Sequence, residues 1–64
     1  MTAYEHALLL AMLCALQAEE IYLVSTWNLS TKYFDLERSI ELRRLHREAI
    51  GDTFAALKIA AELL

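Results

Sequence analysis

Proline is absent from this chain of 64 residues, and glycine occurs once, at Gly51. These two residues are the usual punctuation between short elements. Their scarcity excludes a fold of many short strands joined by tight turns. Cysteine also occurs once, at Cys14, which rules out an internal disulfide framework. His6 and His46 are the only histidines, and with a single thiol they match no zinc-ligand spacing. Basic charge is in deficit: six Lys and Arg against nine Asp and Glu leave a net charge of −3. That balance weighs against general nucleic-acid binding. No Glu-x-x-His pair and no Ser–His–acid arrangement is present, so neither a carboxylate-bridged metal centre nor nucleophilic catalysis is expected. The reading is of a protein that is not an enzyme and has no cofactor and no metal.

What the chain does have is apolar text. Hydrophobic residues make up 58% of it, which excludes disorder. Residues 7–16 are ten apolar residues without a break. A helix apolar around its whole circumference must be buried on all sides. A domain of about 60 residues buries only about 60% of its unfolded surface, and its core supplies roughly 3–5 kcal/mol. With no disulfide and no metal, oligomerisation is the remaining support. Cys14, inside the run, reads as a small buried thiol. A membrane span needs about 20 mostly apolar residues, whereas this run meets Gln17, Glu19 and Glu20. Between Thr2 and His6 there is no basic residue of the kind that opens a signal peptide. A cytoplasmic location is therefore expected, and the Asn28-Leu29-Ser30 triplet reads as a turn rather than a glycosylation site.

Ala, Leu, Glu and Arg dominate, and all are strong helix formers. Thr2 and Glu5 have the spacing of a capping box, which predicts a first helix over about 3–25. The small polar cluster over 26–31 predicts the turn. Ser30 or Thr31 then caps a second helix over about 32–64, with Asp35 in its first turns. Gly51 could end that helix, with Asp52 as a new cap. However, Leu36, Ile40, Ile50, Phe54, Leu57, Ala61 and Leu64 keep one phase across it, so a single helix, bent or straight at Gly51, is the preferred reading. The predicted fold is one all-α domain over residues 1–64, an antiparallel helical hairpin. It is expected to assemble into a homodimeric four-helix bundle or, failing that, a larger helical oligomer.

Indexing divides the first helix into two sides. One is uncharged and rich in alanine; the other carries Leu9, Met12, Leu13, Leu16, Leu23 and Val24 among acids. One side can pack on the second helix. The uncharged seam, comprising Tyr4, Ala7, Leu8, Ala11, Cys14, Ala15, Ala18 and Tyr22, is the predicted oligomer interface, because its small residues admit another helix closely.

On the second helix, Ser39, Arg43, His46 and Arg47 recur at spacings of three and four. They are a candidate site for an anionic ligand such as a nucleotide, since guanidinium groups fork onto phosphate oxygens. The competing reading is internal pairing: with a turn centred on Leu29, Glu19 and Glu20 stand near Arg38 and Ser39 and within a turn of Arg43. Arg38, Arg43, Arg44 and Arg47 interleave with Glu37, Glu41 and Glu48, which reads as a solvated face more than a nucleic-acid patch. Trp27, Tyr33 and Phe34, with Tyr22, form either a plug at the hairpin end or an exposed anchor for a partner.

The stretch 46–64 resembles the last motif of the DEDD-type 3′–5′ exonucleases, in which a His and an Asp open an Ala-rich helix ending in Glu-Leu-Leu. Here His46 and Asp52 are six apart where that family has five, and its other acidic ligands have no counterpart. The resemblance carries no activity over. The functional expectation is a small interaction protein, a regulator, inhibitor or adaptor binding itself and another protein. Short helical chains of this kind are common among accessory proteins of phages and other mobile elements. The alternatives are an anion-binding oligomer and a nucleic-acid-associated helical protein. The surroundings of Arg43 separate the first two: pairing with Glu19 or Glu20 favours the interaction protein, and an unpaired Arg43 facing a symmetry-related Arg across a cavity favours the anion-binding oligomer.

Overall fold

A computed structural model describes residues 1–30 and 34–64. It contains two helices, α1 (Ala3–Ser30) and α2 (Leu36–Glu62), folded back on one another as a hairpin. The result is a rod of 48 × 15 × 11 Å.

The start of α1 follows from its first residues. The Glu5 backbone N–H donates to the Thr2 hydroxyl at 3.1 Å, and the Thr2 backbone N–H donates to Glu5 Oε1 at 3.2 Å. These are the reciprocal bonds of a capping box. The Thr2 backbone N–H, and after it the hydroxyl, hold the Glu5 carboxyl below the ordinary carboxylate value. The box therefore stabilises above the carboxylate range and is lost as pH falls through the lowered value.

The end of α1 differs from expectation. The helix runs to Ser30 rather than Ser25, so most of the expected turn is helical. The cause lies in side chains that stay compatible with a helix by bonding back along it. The Thr26 hydroxyl donates to the Tyr22 carbonyl and the Ser30 hydroxyl to the Trp27 carbonyl, both at 3.0 Å. Asn28, part of the apparent turn and sequon, is buried in the last turns of α1. Ser30 thus ends α1 and does not cap α2; Thr31 lies outside the described residues. Asp35 is the cap of α2, with extended backbone at φ −123°, ψ 114°, and its carboxylate accepts from the Arg38 N–H at 3.3 Å.

Gly51 does not interrupt α2. It is exposed, its φ is not positive, and a Cβ built on it meets nothing within 4 Å. Nothing in the fold calls for glycine there. Gly51→Ala is expected to stabilise the hairpin by about 1 kcal/mol. For a domain of this size that is a rise in melting temperature of roughly 4–8 °C. Thermal melting by circular dichroism checks it; an unchanged or lower midpoint would contradict a plain helical role.

The inner seam is built from small residues. On α1, Ala7, Ala11, Ala18 and Asn28 are buried, with Tyr4, Cys14, Ile21 and Ser25 half-buried between them. On α2, Ser39, Leu42, Ala49, Ala56 and Ala60 are buried, with His46 and Thr53 half-buried in phase. Both series advance by alternating steps of three and four, the 3.5-residue period of paired helices. Small side chains bring helix axes toward the lower end of the usual range of about 8–10 Å. The alanine seam of α1 is therefore spent inside the chain. Ala7, Ala11 and Ala18 face α2, Tyr4, Leu8 and Cys14 border it, and only Ala15 and Tyr22 of that set are exposed. The α2 stripe from Leu36 to Leu64 likewise stands exposed beside the seam rather than in it.

The later chain reversal also moves the register. The Asn28 side-chain amide donates to the Asp35 carbonyl at 3.4 Å, and the Tyr22 and His46 rings lie 6.0 Å apart. Counting outward from these anchors, the residue opposite each α1 position lies about two helical turns further along α2 than a turn at Leu29 implies. Glu19 is level with His46 and Arg47, not with Arg38 and Ser39.

Candidate functional site

Because the seam takes the small residues, the large apolar ones face outward. Leu13, Leu16, Leu23, Trp27, Ile40 and Phe54 are all exposed, Trp27 at 70% and Phe54 at 66%. Among the described residues no large side chain is fully buried. Contiguous exposed apolar surface is the kind that protein, membrane and ligand contacts cover.

One flank of the hairpin is organised. On α1, Leu8, Met12, Ala15, Glu19 and Tyr22 follow one another by steps of four and three. On α2, Ile40, Arg43, Arg47, Ile50, Phe54 and Leu57 do the same. The two rows share a face, because Leu8, Ala11, Met12 and Ala15 join Thr53 and Leu57 around one open apolar groove of about 250 Å³. Ala11 and Thr53 are too small to fill it, and Leu8, Met12 and Leu57 wall it. The Thr53 hydroxyl is satisfied by donating to the Ala49 carbonyl at 2.8 Å. Apolar residues occupy both ends of this face, while Glu19, Arg43 and Arg47 cross its middle. The opposite flank carries Leu10, Leu13, Val24 and Trp27 on α1, but its α2 half mixes Arg38, Glu41, Leu45, Glu48, Asp52 and Ile59, so its apolar row is confined to α1 and meets no matching row on α2.

The residues singled out from sequence fall as follows. Ser39 is buried in the seam and His46 is half-buried, its ring tilted at 44° to Tyr22. Arg43 and Arg47 are exposed on the organised flank. The four form one arc from the seam outward. Among the described residues, Arg44 alone forms ion pairs, with Glu41 and, at 2.6 Å, with Glu48. The Arg44 hydrogen bond lowers the Glu41 carboxyl, and Glu41 in turn raises the Arg44 guanidinium. Arg43 and Arg47 form none, so neither Glu19 nor Glu20 pairs with Arg43 inside the chain. Trp27 and Phe34 are exposed and do not plug the hairpin end; Tyr33 lies outside the described residues. Cys14 is a half-buried free thiol in the seam. Among the described residues, no three His, Cys, Asp or Glu side chains gather where a metal ion could sit.

The groove, and the placing of Met12, Glu19, Phe54 and Leu57 on one shared face, are not among the features expected from the sequence. The signal was present: the step pattern through Ala18, Ile21, Ser25 and Asn28 never breaks, which carries α1 past the polar cluster and fixes the later register. By length and composition α1 is also apolar enough to cross a membrane, with a mean hydropathy of 1.7 over an 18-residue window. No protein-family model, no curated protein and no solved structure matches this chain.

Proposed function

We propose that the protein is a non-enzymatic interaction module that works as a homo-oligomer, a small regulator or adaptor acting by protein–protein binding. The observation that carries this reading is the inverted packing, with alanines inside the hairpin and leucines, phenylalanine and tryptophan outside it. The hairpin exposes 5144 Å². A compact monomer of 7.3 kDa exposes about 4,200 Å². The excess of about 1,000 Å² per chain is close to the roughly 800 Å² that each partner buries in a standard interface.

A membrane would also cover apolar side chains, but the charge pattern of α2 argues for protein. Its outer back carries Glu37, Glu41, Arg44, Glu48 and Lys58 along nearly its whole length, and α2 lies along α1. Immersing the packed hairpin places several of these at membrane depth, at about 2.5–3.5 kcal/mol for each charge at the bilayer centre. Size-exclusion chromatography with light scattering tests the reading. A mass of two or more chains is expected at micromolar concentration. A well-behaved monomer, or a monomer that floats with neutral phosphatidylcholine vesicles, overturns it.

A further inference from the structure

The geometry points to one particular dimer: the grooved flank packs against its own copy, each α1 lying on the other chain's α2, with Glu19 set against Arg43 and Arg47 of the partner subunit. The inference rests on the oligomeric reading above and adds the face, the symmetry and the charge pairing.

Two hairpins can meet through this flank about a two-fold axis in two ways. An axis parallel to the helices keeps every residue at its own level and brings α1 opposite the partner's α2. The hairpin register then sets Leu8 and Met12 against Leu57 and Phe54 of the partner subunit, filling the groove that Ala11 and Thr53 leave open. It sets Ala15 against the partner's Ile50. It also sets Glu19, which pairs with no base within its own chain, against two guanidiniums that pair with no acid within theirs. Apolar meets apolar at both ends, and acid meets base in the middle.

The second axis runs across the helices and lays each helix antiparallel on its own copy. About the midpoint of α2 (Leu36–Glu62), this places Arg47 near the partner's Ile50 and Arg43 near the partner's Phe54. Two guanidiniums per chain would then be desolvated against apolar side chains without an acid, which is costly. Complementary charges of this kind select register and exclude wrong partners more than they add affinity. The same two arginines that resemble an anion site are, in this arrangement, half of a reciprocal interface.

Charge exchange tests it. Glu19→Arg alone and the Arg43→Glu/Arg47→Glu pair alone each place like charges together at both symmetry-related sites. Each is expected to weaken dimerisation by about tenfold or more. Mixing the two variant chains restores opposite charges at both sites, so a heterodimer of near wild-type affinity is expected. Light scattering and native mass spectrometry read the result. Circular dichroism of each chain separates loss of assembly from loss of helix. Should either variant unfold, chains carrying Glu19→Cys and Arg47→Cys, both in a Cys14→Ala background, replace them. A mixed disulfide is expected under copper–phenanthroline oxidation, with little linkage of the Glu19→Cys chain to itself. A wild-type dimer that survives both charge variants, or that gives no mixed disulfide, overturns this face while leaving the oligomeric reading standing. A wild-type monomer overturns both. A melting temperature raised by inorganic phosphate in the wild type, with no recovery on mixing, assigns the arginines to an anion and overturns the pairing.

Discussion

Replacing Ala49 by leucine is expected to remove most of the stability of the hairpin. Ala49 is 4% exposed, lies at the middle of the α2 seam away from the open groove, and belongs to a seam whose buried members on α1 include Ala7, Ala11 and Ala18. A leucine adds three carbons to a buried alanine position, so the helices must separate or the side chain must adopt a strained rotamer. Overpacking of this kind costs about 1–3 kcal/mol. Separation also forfeits contacts along the neighbouring layers, because one seam holds the whole hairpin. Set against the roughly 3–5 kcal/mol that a core of this size supplies, the loss removes most of the stability. Leu13→Ala is the matching control: it deletes a much larger apolar side chain, yet Leu13 is 63% exposed and outside the seam. Thermal melting by far-UV circular dichroism at micromolar concentration should show a large fall in midpoint for Ala49→Leu and a small one for Leu13→Ala. The opposite ranking would mean that the leucines, and not the alanines, hold the two helices together.

That ranking runs against the ordinary reading of apolar text, and it shows which parts of the fold were legible beforehand. The helical class follows from composition and from the lack of breakers. The capping box at Thr2 and Glu5 is legible because its two bonds join residues only three apart. The continuity of α2 through Gly51 is legible because the phase on both sides agrees. The chain reversal is not legible from residue type, because Ser25, Thr26, Asn28 and Ser30 are turn formers by type and helix residues by position. Ser25 and Asn28 fall on the seam, and the Thr26 and Ser30 hydroxyls bond back to carbonyls within α1. Hydroxyl and amide side chains serve a helix or a turn, and tertiary packing decides between them. That displacement slides the register and moves Glu19 from the level of Arg38 to that of Arg47. The charge relation on the organised flank therefore depends on where the chain turns, which residue types alone do not fix. The same holds for the seam: alanines and leucines of α1 are both apolar, and only the α2 pattern of Ser39, Ala49, Ala56 and Ala60 shows which set it can accept.

Phe54→Glu is expected to abolish assembly while leaving the hairpin seam intact. Phe54 lies outside the seam at 66% exposed, so its ring contributes little to contacts within the chain. Glutamate is the better helix former, and the introduced carboxylate stands four residues before Lys58, the favourable order for a charge pair along a helix. Within one chain, then, the substitution is neutral or mildly stabilising. Across the proposed interface it removes an aromatic anchor beside the groove and puts a charge against the partner's Met12. Buried anchors of this type are worth about 2 kcal/mol or more, a factor of roughly 30 in Kd, and the desolvated carboxylate adds to the loss. Light scattering should give the mass of a single chain at concentrations where the wild type is larger. The melting temperature should lose its dependence on protein concentration, since that dependence exists only where folding is linked to association. A variant that keeps the wild-type mass would place the interface elsewhere, and the exposed row of Leu9, Leu16 and Leu23 on the outer side of α1 would be the next surface to carry it.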